Sequence, residues 1–390
     1  MSPTAHAPTA SAPTAHAPNA ASALPAKPHF AHLDGLRGVA AVVVVAFHIF
    51  EAHATSHADQ IINHGYLAVD FFFMLSGFVI GYAYDDRWKR LSGREFAMRR
   101  LIRLQPMVVL GTLIGALLFY AGAGEVSPRV GQTPPWELLL ATLMGCLMLP
   151  MGVAQEVRGW QETYPLNGPA WSLFYEYIAN ALYALLLRRL PTWALTIVVL
   201  AAALATGQYL LTAPGGDIVG GWALTGHEIR VGLTRLAFPF TAGLLLARLR
   251  PTLRLPRPFL TCSILLVALL AAPRIGGPDV RLNACYELAC IIVGFPLIIM
   301  IGASTLHTSN REEGAACRLL GRISYPLYIT HYPLIYLYFA YVHGQAAVTP
   351  TAAAAWGAVL WAGAVTLAYA YARWYDEPVR QWLTRRYQRA

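Results

Sequence analysis

An arginine and a histidine lie eleven residues apart in the first apolar segment of the chain, Arg37 near its start and His48 near its end. Eleven steps of about 100° return a helix to within about 20° of the same face, about 16 Å further along. The two side chains therefore share one stripe. An ionisable side chain within a membrane segment indicates function, because its burial in lipid is costly. The structural alternative is a neutral histidine bonded to a neighbouring helix.

Two carboxylates are candidates for a catalytic role beside this histidine. Asp70 lies near the start of the second apolar segment, and Glu176 lies one turn into a later one. Either could orient His48 and stabilise its protonated form, as carboxylates do for general-base imidazoles. An acid at a helix N-terminus that interacts with the helix dipole is the alternative for Asp70. The sequence leaves this choice open.

Three arginines precede Pro106 with helical spacing: Arg99, Arg100 and Arg103. Positions three and four residues apart lie on one side of a helix, and guanidinium groups bind phosphates through two hydrogen bonds. The cluster predicts a site for a phosphate-bearing donor. Topogenic charge that contacts lipid headgroups is the alternative.

Further polar side chains lie near the start of two later apolar segments. Ser172 lies one turn before Glu176, whereas Tyr328 and His331 share a face with Ser324. Arg37, Ser172 and Tyr328 are candidate donors to an oxyanion. His331 is interpreted as a structural or substrate-positioning residue. The predicted substrate-binding set is Trp171, Ser172, Tyr328 and His331.

The composition indicates the elements that must position these residues. Hydrophobic residues make up 56% of the 390 and charged residues 13%, with a mean hydropathy of +0.46, whereas soluble domains carry about 25% charge. These values predict an all-α polytopic integral membrane protein. The net charge of +9 comes from arginines in short loops, which fits the positive-inside bias and not a nucleic-acid partner. Five cysteines without a C-x-x-C pair predict neither disulfides nor a metal site.

Eleven apolar runs alternate with short polar breaks, and most approach the roughly 17–25 residues that span a bilayer. Seven basic residues over 85–106 place that segment in the cytoplasm. An even number of crossings must then separate it from the basic pair at 188–189, so the short run 136–150 is predicted to be re-entrant or interfacial. Ten spanning helices with both termini cytoplasmic remain. The runs are 36–52, 66–84, 106–122, 136–150, 170–187, 193–212, 231–247, 259–273, 285–302, 323–342 and 351–372.

Three parts are expected along the chain. Residues 1–28 are rich in Pro, Ala and Thr and predict a disordered cytoplasmic tail that is not a signal peptide. Residues 29–385 form the transmembrane domain, and residues 386–390 form a cytoplasmic C-terminal tail.

Six short motifs, in this order, resemble the membrane-bound acyltransferase 3 family over about residues 29–385. Each motif is weakly specific, and the ordered set is strongly specific. They are 33–38 with the Arg-x10-His pair, 69–78, 99–106, 171–176, 323–331 and 377–380.

The resemblance implies an acyl-CoA donor, usually acetyl-CoA, used from the cytoplasm as a substrate and not as a resident cofactor. It implies catalytic roles for Arg37 and His48, ten membrane helices, and O-acylation of sugars and other hydroxyl compounds in a bacterial cytoplasmic (inner) membrane. The expected acceptor is a hydroxyl of a surface or exported polysaccharide, with a glycosylated natural product as the alternative. The SGNH hydrolase-like domain of some members is expected to be absent, because no Gly-Asp-Ser motif occurs.

The resulting hypothesis makes His48 the general base on an acceptor hydroxyl, with donor phosphates on the arginine cluster. An acyl-histidine intermediate is a second route. A transporter or flippase of a polar or lipid-linked substrate would also place ionisable groups in the membrane, but it needs internal repeats, and the apolar part shows none. A scaffold without chemistry is the third alternative.

Overall fold

The computed structural model describes residues 27, 29–56, 59–251, 253–304, 311–344 and 348–389. Over these residues the chain is helical and contains no β-strand, which confirms the predicted all-α fold. Except for Lys27, the predicted disordered tail over 1–28 lies outside the described residues. The last helix continues to Arg389, into the segment predicted to be a C-terminal tail.

Fourteen α-helices follow one another within the described ranges, and π-helical turns join α9 to α10 and α13 to α14. The π turns are Cys290–Gly294 and Ala372–Asp376. The helices are α1 Ala31–Glu51, α2 Ala68–Tyr84, α3 Gly93–Leu117, α4 Pro135–Cys146, α5 Ala170–Leu185, α6 Thr192–Thr212, α7 Gly226–Leu249, α8 Pro258–Ala271, α9 Val280–Ala289, α10 Phe295–Gly302, α11 Arg311–Thr330, α12 Tyr332–Gly344, α13 Pro350–Tyr371 and α14 Glu377–Arg389.

Seven spans within the described residues, some of them made of consecutive elements, are long and apolar enough to cross a bilayer, which confirms a multi-pass membrane protein. The predicted ten crossings additionally require α5 with 16 residues, α8 with 14, and the α11–α12 pair. The seven are Ala31–Glu51, Gly65–Tyr84, Gly93–Leu117, Thr192–Thr212, Gly226–Leu249, Val280–Gly302 and Thr351–Tyr387.

The short helix α4 has the dimensions expected of a segment that does not cross the bilayer. It has 12 residues, which rise about 18 Å, whereas a hydrocarbon core is about 30 Å thick. Beyond its C-terminus Met148 has a left-handed backbone with φ 56°, which turns the chain away from the helix axis.

The predicted single helix over 323–342 is instead two helices that meet at His331. Pro333 explains the break, because proline lacks an N–H donor and disfavours helical geometry in the residue before it. The break matters because it places His331 at a junction in the bundle interior.

Close backbone approach packs α1 against α11 and α2 against α7. A Cβ on Gly38 would lie 2.3 Å from the carbonyl oxygen of Leu320, and one on Gly77 would lie 2.1 Å from that of Phe240. Small residues permit such contacts between membrane helices. The approach of α11 at Gly38 brings Ser324 within reach of Arg37.

Candidate functional site

A cavity of about 700 Å³ lies between α1, α2, α3, α5, α11 and α14. Its lining is strongly basic: eight Lys or Arg and four Asp or Glu among the described residues, an excess of four positive charges. We call the end of the bundle that holds these cations the basic end. The cations are Lys27, Arg37, Arg87, Arg100, Arg103, Arg318, Arg322 and Arg380; the acids are Asp34, Glu176, Asp376 and Glu377.

Arg37 lies in the wall of this cavity, as its predicted role requires. Its Nε donates to Ser324 Oγ at 3.0 Å, and its Nη2 donates to Asp34 Oδ1 at 2.6 Å. These two bonds hold the guanidinium between α1 and α11, partly exposed to the cavity.

Two of the three arginines predicted to bind phosphate line the cavity. Arg100 Nη2 donates to Glu176 Oε1 at 2.5 Å, and Ser76 Oγ donates to the same oxygen at 2.9 Å. The guanidinium of Arg103 lies over the Tyr325 ring at 5.9 Å. Arg99 is exposed and is not part of the lining, because consecutive helical residues point about 100° apart.

The inner limit of the cavity is a pair of hydroxyls, Ser172 and Tyr328, 2.7 Å apart. Ser172 Oγ donates to the carbonyl of Pro169, so the shared proton comes from Tyr328. Both hydroxyl protons are therefore engaged within the protein. Trp171 does not line the cavity, and its ring lies 5.1 Å from the Arg235 guanidinium.

His48 lies beyond that limit and is not part of the lining. Its Nδ1 is 2.7 Å from Glu51 Oε2, and its ring stacks on His331 with centroids 5.5 Å apart. The Tyr332 ring lies nearly perpendicular to the His48 ring, with the two centroids 4.8 Å apart. The side chains of His48 and Glu51 are 18% and 25% exposed. The predicted pairing of His48 with Asp70 or Glu176 is wrong, since Glu51 occupies that place.

His331 lies between the cavity limit and His48. Its Nδ1 lies 3.1 Å from the carbonyl of Leu327 and 2.9 Å from that of Tyr328. Carbonyls only accept hydrogen bonds, so Nδ1 carries the proton. Nε2 is buried and has no hydrogen-bond partner. The Tyr328 ring lies 6.2 Å away, so His331 contacts the cavity wall as well as His48.

Asp70 is bound to a buried arginine, Arg235, that was not among the predicted site residues. Arg235 Nε and Nη2 donate to Asp70 Oδ2 at 3.2 and 2.8 Å. The remaining donors reach the carbonyls of Gly220 and Tyr66. Both charged side chains are 1% exposed. An arginine within the apolar run 231–247 was the available signal, because a buried cation requires a partner.

A second buried polar group lies in the loop 147–169, outside the membrane helices. Tyr336 donates to Glu162, and the guanidinium of Arg158 lies 3.5 Å from the Tyr336 ring centroid. Burial raises the pKa of Glu162 to about 8, although the Tyr336 hydrogen bond and the Arg158 charge both lower it. The Tyr332 and Tyr336 rings, 4.7 Å apart, connect this group to His48.

Fold and site together define a multi-pass helical membrane protein with an internal cationic cavity that ends beside two imidazoles. A family model described as an acyltransferase domain matches residues 30–373, and the chain belongs to the acyltransferase 3 family. The predictions of this family, of an enzyme that transfers acyl groups, and of a membrane O-acyltransferase are confirmed.

Relatives named as acyltransferases or O-acetyltransferases match most of the chain. It is 27% identical to an acyltransferase, MdmB, of Streptomyces mycarofaciens over 78% of each chain. It is 24% identical to the peptidoglycan O-acetyltransferase OatA of Listeria monocytogenes over 78% of this chain and 49% of that protein. "Protein 2 in picA locus" of Rhizobium radiobacter is 35% identical over 40% of this chain and 81% of its own. The chain thus spans about half the length of OatA. No solved structure matches the chain.

Proposed function

We propose that this protein transfers an acyl group, in the simplest case acetyl, from acyl-CoA to a hydroxyl of a glycan or glycosylated compound, with His48 as general base. One observation carries the proposal. The cavity has four excess positive charges at the basic end, and at its inner limit His331 separates the Tyr328 ring from His48. Coenzyme A is polyanionic at one end and carries the reactive thioester at the other.

The donor binds with its phosphates at the basic end. The Arg103 guanidinium lies over an aromatic ring and, within the described residues, is not bound to a carboxylate, so its N–H groups can donate hydrogen bonds to phosphate oxygens. Arg37 and Arg100 already hold carboxylates and contribute mainly charge. The apolar wall between these cations and Tyr328 suits the pantetheine arm.

His48 performs the proton transfer at the other limit. Its Nε2 accepts the proton of the acceptor hydroxyl while the hydroxyl oxygen attacks the thioester carbonyl carbon. The C–S bond then breaks, and the imidazolium returns the proton to the coenzyme A thiolate. A positioned general base contributes about 10²–10⁴-fold. His331 Nε2, buried without a partner, offers an acceptor to a substrate N–H or O–H at the same place.

A glycan acceptor rests on the peptidoglycan O-acetyltransferases among the relatives. A glycosylated natural product is the alternative acceptor. The basic end faces the cytoplasm of a bacterial inner membrane, as the basic residues over 85–106 indicate, with both termini on that side. The acceptor then approaches His48 from the Glu51 end of α1.

The test uses the full chain in lipid nanodiscs with labelled acetyl-CoA and a panel of glycans and glycosylated small molecules. Label should appear on one acceptor class with the wild-type protein and should be lost with His48→Ala. Arg103→Ala should weaken donor binding, and Arg99→Ala, a matched change outside the cavity, should not. Turnover by His48→Ala at the wild-type rate would exclude the general-base assignment.

A further inference from the structure

Glu51 is the last residue of α1, a position at which a carboxylate is unfavourable. The C-terminus of a helix carries partial negative charge, so an acid there is repelled by the helix dipole. Among the described residues its ion-pair partner is His48, with Nδ1 2.7 Å from Glu51 Oε2. The unfavourable position of this acid on the helix is therefore offset by its contact with the imidazole.

The contact determines which nitrogen of His48 carries a proton. A carboxylate only accepts hydrogen bonds, so Nδ1 carries a proton, and in the neutral ring Nε2 then keeps its lone pair. Two rings also pack against it: His331 stacks on it, and Tyr332 lies nearly perpendicular to it. Within the described part of the chain, Glu51 supplies the polar contact that orients the ring.

We propose that Glu51 is the positioning residue of the transfer reaction. It holds His48 with Nε2 free to accept the acceptor's proton, and its charge stabilises the imidazolium that forms when that proton arrives. Glu51 exchanges no atom with the substrates. This inference rests on the proposed function, because it assigns a partner to the proposed general base.

The first experiment compares Glu51→Gln with Glu51→Met in the full chain in nanodiscs. Gln keeps an accepting oxygen but loses the charge, so kcat should fall about 10-fold, within the range of general-base catalysis. Met loses both, and kcat should approach that of His48→Ala. KM for acetyl-CoA should stay within about twofold, because Glu51 is outside the donor cavity. Glu125→Gln, the same change at an exposed loop acid, is the control and should keep wild-type kcat.

The second experiment reads the tautomer directly by ¹⁵N NMR of histidine-labelled protein, with the His48 signals identified by their loss in His48→Ala. The wild type should show protonated Nδ1 and unprotonated Nε2, and Glu51→Met should show a mixture. Wild-type kcat in Glu51→Met, or an unchanged tautomer in it, would overturn the assignment. Full activity of His48→Ala would instead remove the proposed base itself, so the two failures are distinguishable.

Discussion

Two of the ion pairs on the membrane helices, Asp70 with Arg235 and Glu51 with His48, differ in exposure and in bonding. Asp70 and Arg235 are 1% exposed, and the guanidinium is engaged by Asp70 and two backbone carbonyls. His48 and Glu51 are 18% and 25% exposed, and one ring nitrogen of His48 stays unbonded among the described residues. Asp70 Oδ1 is also without a hydrogen-bond partner among them, but it is buried, so the first pair joins helices, whereas the second is accessible enough to take part in chemistry. An acid within the membrane is therefore insufficient evidence of catalysis.

The largest expected effect is a loss of activity when the more exposed pair, His48 and Glu51, is changed. His48→Ala should lower kcat by about 10²–10⁴-fold, the contribution of a general base, while the melting temperature in detergent stays close to wild type. An acyl-transfer assay measures the expected loss of kcat, and thermal unfolding measures the melting temperature. A large loss of melting temperature would place His48 with the structural pair and contradict the distinction.

The buried pair should show the opposite result. Arg235→Ala leaves the Asp70 carboxylate buried without its cation, which costs about 3–5 kcal/mol of unfolding free energy. Chemical denaturation of the purified protein measures the loss. The double change Asp70→Ala with Arg235→Met should cost less than Arg235→Ala, since it removes both charges. If the double variant were the less stable one, a simple buried ion pair would be the wrong description.

A smaller effect should separate Arg103 from Arg99. A hydrogen bond to a charged group contributes about 1.5–3 kcal/mol, so Arg103→Ala should raise KM for acetyl-CoA about 10-fold or more. Arg99→Ala should change it less than about twofold, because Arg99 is outside the lining. Steady-state kinetics at two salt concentrations tests this, and equal effects would show that the cavity is not the phosphate site.

The smallest effect concerns pH and the loop acid Glu162. Its pKa is about 8 in the folded protein against 4.5 for a free side chain, so the native state holds its proton more tightly. Stability from this group is fully present below pH 4.5 and is lost as the pH rises through 8. Melting temperatures between pH 5 and 9 should fall less in Glu162→Gln than in the wild type. Parallel curves would refute this.

Sequence patterns predicted a large part of the site. The motifs identified the family, and Arg37, Arg100, Arg103, Ser172, Glu176 and Tyr328 do line one cavity. Asp70 was misassigned because a single buried acid has many potential partners, and Arg235 lies 165 positions away. Glu51 could have been proposed from the sequence, because it lies three residues after His48. Its contact with the imidazole, however, depends on side-chain orientation, which the sequence does not give.

The sequence by itself determined the class of protein, because long apolar segments must form helices in lipid and the motif order is specific to a family. It also determined that Arg37 and His48 lie along one helix. The tertiary structure alone decided that the cavity ends at Tyr328 and that His331 separates it from His48. It also decided which acid pairs with which base. These features depend on how several helices pack together, and the period of a single helix carries no information about its neighbours.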